Sequence, residues 1–170
     1  MSVSSITDLK QYLAFNLGDE LFALDVVNVR EILEFTTLTK IPGTPDFMRG
    51  VINLRGSVVP VMDMRSKFRL STTDKTVDTC IIVVEVSLDG ETIIFGALVD
   101  SVQEVFELEP DQIEPVPRIG TQLNTEFIKG MGRRDDRFII ILDIDGVFST
   151  EAHAVQDTGM AEQMMMAGNE

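Results

Sequence analysis

The sequence is poor in the residues that carry most covalent and metal chemistry. Its 170 residues include one cysteine, one histidine, one tyrosine and no tryptophan. A single thiol, Cys80, leaves no internal disulfide, which is typical of proteins in a reducing compartment. Zinc sites need several closely spaced ligands, and a Ser-His-Asp arrangement would have to use His153 in the polar C-terminal stretch. We therefore expect no enzyme activity, no cofactor and no metal.

Basic residues and long apolar runs are also scarce. The chain has 14 Lys and Arg against 28 Asp and Glu, a formal net charge of −14, which argues against binding to nucleic acid or anionic lipid headgroups. Uncharged runs such as Thr92–Val99 are far shorter than the roughly 20 residues of a membrane-spanning helix. The stretch Met1–Lys10 lacks the basic and apolar parts of a signal peptide. These features predict a cytoplasmic protein without direct membrane insertion.

Short runs of Val, Ile, Leu and Phe, separated by turn residues, dominate the rest of the chain. Gly18–Asp19 and Asp89–Gly90 each lie between two such runs, a pattern typical of β-hairpins. The predicted strands are Gln11–Leu17, Leu21–Val26, Val29–Phe35, Gly50–Leu54, Ser57–Met62, Cys80–Ser87, Thr92–Val99, Ser101–Leu108, Ile128–Arg133 and Arg137–Leu142. Short helices are predicted near 26–29, near 45–48, after Asp143 and over 160–167. Because Pro60 has no N–H to donate, its strand is expected at a sheet edge or at a bulge. The pattern indicates an all-β sandwich or barrel.

The chain also contains an internal repeat. The run from Phe22 recurs 73 residues later from Phe95, and the run from Phe47 recurs 80 residues later from Phe127. The most informative aligned pairs are Glu31 with Glu104, Gly50 with Gly130 and Asp63 with Asp143. Neither half has enough apolar residues for a large core of its own. We predict one domain over 8–150, made of two small barrel repeats at about 8–75 and 76–150 that share an apolar layer, followed by a tail at 151–170. Exchange of strands between the two repeats stays open.

The turn Asn53-Leu-Arg-Gly56 is the first candidate for a binding function. A hairpin turn alone explains Asn53 and Gly56, since both residue types tolerate positive φ. The aligned turn at 133–136 has unrelated residues, so the fold alone does not require Arg55. An exposed guanidinium can bind a carboxylate or backbone carbonyl groups. From the residues alone, a structural and a functional interpretation both stay open.

Two further features have the same two interpretations. Val29-Arg-Glu-Ile32 fits either a strand with a solvated Glu31 or a binding surface. Residues 40–75 contain seven basic and three acidic side chains, whereas 76–117 contain ten acidic and no basic ones. This division fits either ordinary solvated surface or two docking surfaces of different charge. Asp143-Ile-Asp-Gly146 lacks the remaining ligands of a calcium loop, so no calcium site is predicted.

Several motifs together resemble the CheW family of bacterial chemotaxis coupling proteins. The resemblance is carried by Tyr12-Leu-Ala-Phe, Phe22-Ala-Leu-Asp, Val29-Arg-Glu-Ile, Ile41-Pro, Pro45-Asp-Phe-Met-Arg-Gly, Val51-Ile-Asn-Leu-Arg-Gly and Val59-Pro-Val-Met-Asp-Met-Arg. It extends from about Gln11 to Phe148, which is nearly the whole chain. The stretch beyond Thr150 does not match.

The resemblance implies two intertwined five-stranded SH3-like barrels and no catalysis. It implies an adaptor that joins the cytoplasmic helical tip of chemoreceptors to the regulatory domain of the histidine kinase CheA, with its own copies as further partners in arrays. The protein would be recruited through the receptors to the inner face of the membrane. The receptor contact implied by the family motifs comprises Val29, Glu31, Gly50, Asn53, Arg55, Val102 and Val105. The kinase-contact residues are not assigned.

Two alternatives remain at this point. The chain is also compatible with a coupling protein of a surface-motility or other non-motility chemosensory pathway. An enzyme is the formal rival, and it would need a cleft that holds titratable groups with perturbed pKa values.

Overall fold

The structure, a computed structural model, describes residues 9–71, 75–116, 125–134 and 136–152. Ten strands lie in these ranges, all where the sequence predicts them to within a few residues. Their bounds are β1 Lys10–Leu17, β2 Glu20–Asp25, β3 Val29–Glu34, β4 Met48–Leu54, β5 Ser57–Asp63, β6 Cys80–Leu88, β7 Glu91–Val99, β8 Ser101–Leu108, β9 Ile128–Arg134 and β10 Arg137–Leu142. Two four-residue helices are α1 Met64–Lys67 and α2 Ile144–Val147, and residues 149–152 are also helical.

The strands form two five-stranded sheets of matching topology. The order is β8-β1-β2-β10-β9 in the first sheet and β3-β6-β7-β5-β4 in the second. Each sheet curls into an SH3-like barrel, so the predicted all-β fold of two pseudo-repeated barrels is confirmed. Each barrel takes strands from both halves of the sequence, because β1 and β2 pair with β8 and β10 while β6 and β7 pair with β3 and β5. A division near residue 75 therefore separates repeats and not barrels.

Side-chain alternation on the central strands fills three apolar clusters. Alternate residues of β1 and β2, such as Tyr12 and Ala23, fill the first barrel, and those of β6, such as Ile81, fill the second. The residues between them, including Phe15 and Phe95, point into a third cluster shared by both barrels. Burial on both faces explains why these strands read as continuous apolar runs. The predicted shared core is thus present.

Short elements at the strand ends differ in part from the sequence predictions. A 3-10 turn occurs at Val26–Asn28, as expected, but residues 45–48 form a turn leading into β4 and not a helix. β5 lies between β4 and β7 and is not an edge strand, and its pairing with β7 begins only at Val61, after Pro60. The register shift of that hairpin lies between Met48 and Gly50. The edge position predicted for this strand is therefore wrong, although Pro60 itself has a strand partner only in β4 and the register shift lies opposite the neighbouring Val61.

The end of the described chain packs onto the body. Glu151 and Ala152, assigned to the tail by the sequence, are buried, and Ala152 belongs to the shared cluster. The Nζ of Lys67 contacts Oε1 of Glu151 and lies 4.6 Å from the ring centre of Phe47. The helix predicted over 160–167 lies outside the described residues. Within the described ranges, no helix has the length and apolar character needed to cross a bilayer.

Candidate functional site

An ion pair between Glu31 and Arg55 is the centre of the predicted contact surface. Arg55 lies in the turn after β4 with φ of +50°, and Gly56 follows with φ of +88°, which is the left-handed pair of a type I′ hairpin turn. The Arg55 Nη1 and Nη2 atoms donate to the two carboxylate oxygens of Glu31 at 2.5 and 3.2 Å. Because Glu31 is on β3 and β3 and β4 are the edges of the second sheet, the pair joins those two edges.

The pair is charged and accessible. The Arg55 side chain is 74% exposed and that of Glu31 is 22% exposed. The hydrogen bonds from Arg55 lower the pKa of Glu31, and the same contact raises the pKa of Arg55. Both groups therefore keep their charge through the neutral range. The turn offers a fixed guanidinium to solvent and is not enclosed in the interior.

Asn53 and Gly50 have structural roles in the same hairpin. The Asn53 Oδ1 atom accepts a hydrogen bond from the Gly56 amide at 2.9 Å, which fixes the turn that presents Arg55. Gly50 is buried at a φ of +149°, and a Cβ there would lie 2.6 Å from the carbonyl oxygen of Thr39. Only glycine lets the chain at Thr39 approach β4 so closely. Gly50 thus shapes the hairpin without presenting a side chain.

The three valines of the predicted contact lie on the first strands that follow each crossover between the sheets. Val29 begins β3, and Val102 and Val105 lie on β8, the edge strand of the first barrel. Val29 and Val102 are half-buried against the shared cluster. Val105 is 51% exposed. The predicted residues therefore divide into one joined group on β3 and the β4–β5 hairpin and a second group on β8.

Sequence reasoning missed a counterpart of the ion pair in the other barrel. The Arg134 Nε and Nη2 atoms donate to Oε1 of Glu104 at 3.0 and 2.7 Å. Glu104 is on β8 and Arg134 is on β9, the two edges of the first sheet. The repeat does align Glu104 with Glu31, but the arginine lies at the end of β9 and not inside the turn. The repeat alignment therefore points to Glu104 but not to Arg134, because Arg134 does not align with Arg55.

The described residues offer no arrangement suited to a metal. No cluster of three or more His, Cys, Asp or Glu side chains with suitable spacing occurs among them. Asp143 accepts from the Gly146 amide and Asp145 accepts from the Ser87 amide, so each carboxylate has a local structural role. His153 lies outside the described ranges.

Comparison with known proteins assigns the chain to a protein family. The family model of the CheW-like domain matches residues 11–152, which span both barrels. The chain belongs to the CheW family. It is 36% identical over 148 residues to the chemotaxis protein CheW of Klebsiella aerogenes, covering 87% of each protein. It is 34% identical over 146 residues to a probable chemotaxis protein CheW of Rhizobium etli, covering 85% of this chain and 92% of that one.

A solved structure agrees with the family assignment. The crystal structure of the scaffolding protein TtCheW from Thermoanaerobacter tengcongensis superposes with a TM-score of 0.74 at 38% identity. The match covers 82% of this chain and 87% of that one. Both barrels of this CheW-family chain therefore have a counterpart of known structure.

Proposed function

We propose that this chain is a non-enzymatic scaffold that couples chemoreceptors to the histidine kinase CheA in chemosensory arrays. The observation that carries the proposal is the similarity to a solved scaffolding protein across both barrels. Family relatives named as chemotaxis proteins match over most of their own length. The protein would act in the cytoplasm and reach the inner face of the membrane through the receptors.

The receptor contact is proposed at the Glu31–Arg55 pair and the adjoining valines. Glu31 holds the Arg55 guanidinium in one orientation. The exposed edge of the guanidinium remains free to donate to carbonyl or carboxylate oxygens of a helical hairpin. Val29, Val102 and Val105 supply the apolar contact of a helix-in-groove interaction. Asn53 and Gly50 act indirectly by fixing the hairpin geometry.

The kinase contact is proposed to join a barrel of this protein to an unlike barrel of the CheA regulatory domain. Strand edges and loops outside the Arg55 hairpin are available for it. With receptor and kinase on separate surfaces, modest pairwise affinities add up through the array, and the kinase is held where receptor conformation can bias it. Copies of this chain would take part in the same arrays.

Co-sedimentation with receptor-containing membranes tests the proposal. We expect the protein to pellet with the membranes and to bring the kinase down with it, whereas kinase alone pellets poorly. Membranes without receptor are the control for non-specific adhesion. Recovery of the protein in the supernatant at every receptor concentration would contradict the receptor role, and unchanged kinase pelleting would contradict the coupling role.

A further inference from the structure

A cleft of about 520 Å³ is lined in part by residues that lie within two positions of the proposed contact residues Gly50 and Val102. It lies where the ends of β3, β5 and β7 meet the start of β6. Its side chains combine charge with an aromatic wall, and the ones that matter here are Phe35, Arg49, Asp63, Arg65, Lys75 and Asp100. Three cations and two carboxylates thus line one cavity of a protein whose net charge is −14.

Both carboxylates of the cleft already accept hydrogen bonds from groups of the protein. Asp100 accepts from the Nε and Nη2 atoms of Arg65 at 2.8 and 2.5 Å and from the Gly18 amide at 2.7 Å. Asp63 accepts from Nη1 of Arg49 at 2.9 Å and from the amides of Arg65 and Ser66 at the start of α1. The third nitrogen of Arg65, Nη1, donates to the Ser71 carbonyl at 2.6 Å. Every nitrogen of the Arg65 guanidinium is therefore engaged within the protein.

The two other cations are only partly used. Within the described ranges, Arg49 donates only to Asp63, through Nη1, and its side chain is 40% exposed. Lys75 forms no ion pair with any described residue, and its Nζ lies 4.4 Å from the ring centre of Phe35. An ammonium over an aromatic face keeps its full charge and most of its hydrogen-bonding capacity. The open side of the cleft is thus electropositive and next to an apolar wall.

We propose that this cleft binds a carboxylate side chain, an Asp or Glu, of the receptor tip that docks on the adjoining surface. The inference rests on the proposed receptor role. Lys75 and Arg49 would bind the two carboxylate oxygens, and the methylene groups of the acid would pack on Phe35.

Continuity with the proposed contact surface identifies the occupant. Arg49 precedes Gly50 of the contact hairpin, and Asp100 lies two residues before Val102 on the other contact strand. The cleft therefore adjoins the contact residues along two chain segments, and a partner helix that extends past Gly50 and Val102 would reach it. Because most of this protein is acidic, an acidic residue on that partner is favoured only where cations such as these offset the repulsion.

The first test uses a hexaglutamate peptide as an isolated source of carboxylate side chains. Amide NMR shifts of the labelled full chain are followed at about 0.15 M salt, where exposed charges farther apart than about 8 Å are largely screened. We expect shifts at Thr79, Val99 and Asp100, and at least fivefold weaker binding for Lys75→Glu. Lys40→Glu is the matched control, with the same charge change on an exposed lysine outside the cleft, and should bind within twofold of the unchanged protein.

Three results of the peptide test would overturn the inference. They are no binding to the unchanged protein, equal weakening by Lys75→Glu and Lys40→Glu, or inorganic phosphate binding as tightly as the peptide. In the last case the cleft is a general anion site. Arg49→Gln, checked for an unchanged amide spectrum, should weaken peptide binding as well, and Lys75→Arg should restore it.

Receptor-containing membranes provide the second test. Lys75→Glu should pellet at least fivefold less at limiting receptor, while Lys40→Glu pellets normally. Loss of peptide binding with full pelleting would overturn the receptor as the source of the carboxylate. Failure of the unchanged protein to pellet would instead refute the proposed function, and the peptide result would still decide whether the cleft binds carboxylates.

Discussion

The two barrels share one strand topology but differ in the side chains at their hairpin turns and short helices. Their sheets have the same strand order once each element is exchanged for its repeat counterpart. Gly50 and Gly130 both lie where a Cβ would collide with a crossing backbone, at the carbonyl oxygens of Thr39 and Glu114. Asp63 and Asp143 both begin a short helix, and their amides donate to Phe47 and Phe127, also repeat counterparts. These retained glycines and aspartates are positions that the fold requires.

The difference lies in the hairpin turns and at the helices. The β4–β5 turn presents a 74% exposed Arg55, whereas in the other barrel Arg134 precedes the turn and its side chain is 32% exposed over the ring of Phe106. Arg65 in α1 corresponds to Asp145 in α2, so equivalent positions carry opposite charges. Each of these two residues has its own local contact, because Arg65 binds Asp100 and Asp145 accepts from the Ser87 amide. The exposed Arg55 is the difference between the barrels on which the proposed receptor contact rests.

Substitution of either crossing glycine by alanine should have the largest effect. A Cβ at residue 50 or 130 would lie 2.6 Å from the nearest atom, and Gly50 adds a positive φ that alanine disfavours. We expect losses in the free energy of unfolding of about 3 kcal/mol at Gly50 and about 2 kcal/mol at Gly130, measured in urea.

The control for the glycine variants is Gly43→Ala. Gly43 has a φ of +82°, but a Cβ added there would have no atom within 4 Å, so it reports backbone strain alone, about 1 kcal/mol. If all three variants lost the same stability, close backbone approach would not be what the repeat preserves.

Substitution of the two helix-capping aspartates should have the next largest effect on stability, and the effect should differ between them. Asp63 is buried, caps two amides of α1 and binds Arg49, whereas Asp143 is less buried and caps one amide of α2. Asp63→Ala should lower the free energy of unfolding by about 2 kcal/mol and Asp143→Ala by about 1 kcal/mol. Thermal unfolding of both variants would show it, and equal losses would mean that the Arg49 contact contributes nothing.

Charge reversal of the arginines that join the two edges of each sheet separates function from structure. Arg55→Glu should weaken receptor pelleting by about fivefold or more, the scale of one lost charged hydrogen bond, while the melting temperature changes little because the pair is exposed. Arg134→Glu breaks the equivalent pair in the other barrel and should leave pelleting nearly unchanged. Equal pelleting losses from the two variants would remove the distinction between the barrels.

The smallest predicted effect is a pH dependence specific to the Arg65 side of the molecule. Burial raises the pKa of Asp100, but the hydrogen bonds from Arg65 and the Gly18 amide outweigh it, so the pKa lies below its usual value of 3.8. Stability from this carboxylate is present above the unfolded-state pKa and is lost as the pH falls through the lower folded-state pKa. Urea unfolding from pH 5 to about pH 2 should therefore show a shallower loss for Asp100→Asn than for the unchanged protein. Arg65→Gln should flatten the same slope, and an unaltered slope in both would refute the assignment.

Local patterns predict the elements well and their partners poorly. All ten strands follow from apolar runs and turn residues, because a strand's pleat and a hairpin turn depend on neighbours in the chain. The segment 45–48 reads as a helix because proline and polar residues fit both a helix and a turn, and only the pairing of Met48 with Met62 draws its end into a sheet. Pro60 has no β7 partner opposite it, and this gap accommodates its missing N–H. Because the gap exists only in the assembled sheet, the sequence alone suggests an edge strand.

For the candidate site, the sequence identified Glu31 and Arg55 separately, through the repeat and through the turn. It did not join them, nor did it find the cleft, since Phe35, Arg49, Lys75 and Asp100 come from four separate segments. The family resemblance supplied the grouping with Val102 and Val105, which remains a proposal.

The sequence by itself determined the strands, the repeat and the acidic body, because residue preferences, periodicity and charge are carried by the chain locally. The tertiary structure decided which hairpins share a barrel, which arginine meets which carboxylate, and which cations keep unused donors. Those outcomes depend on hydrogen bonds and burial between residues far apart in sequence. Two repeats with similar apolar patterns can satisfy their strand edges within one half or across both, and only the folded packing selects the exchange.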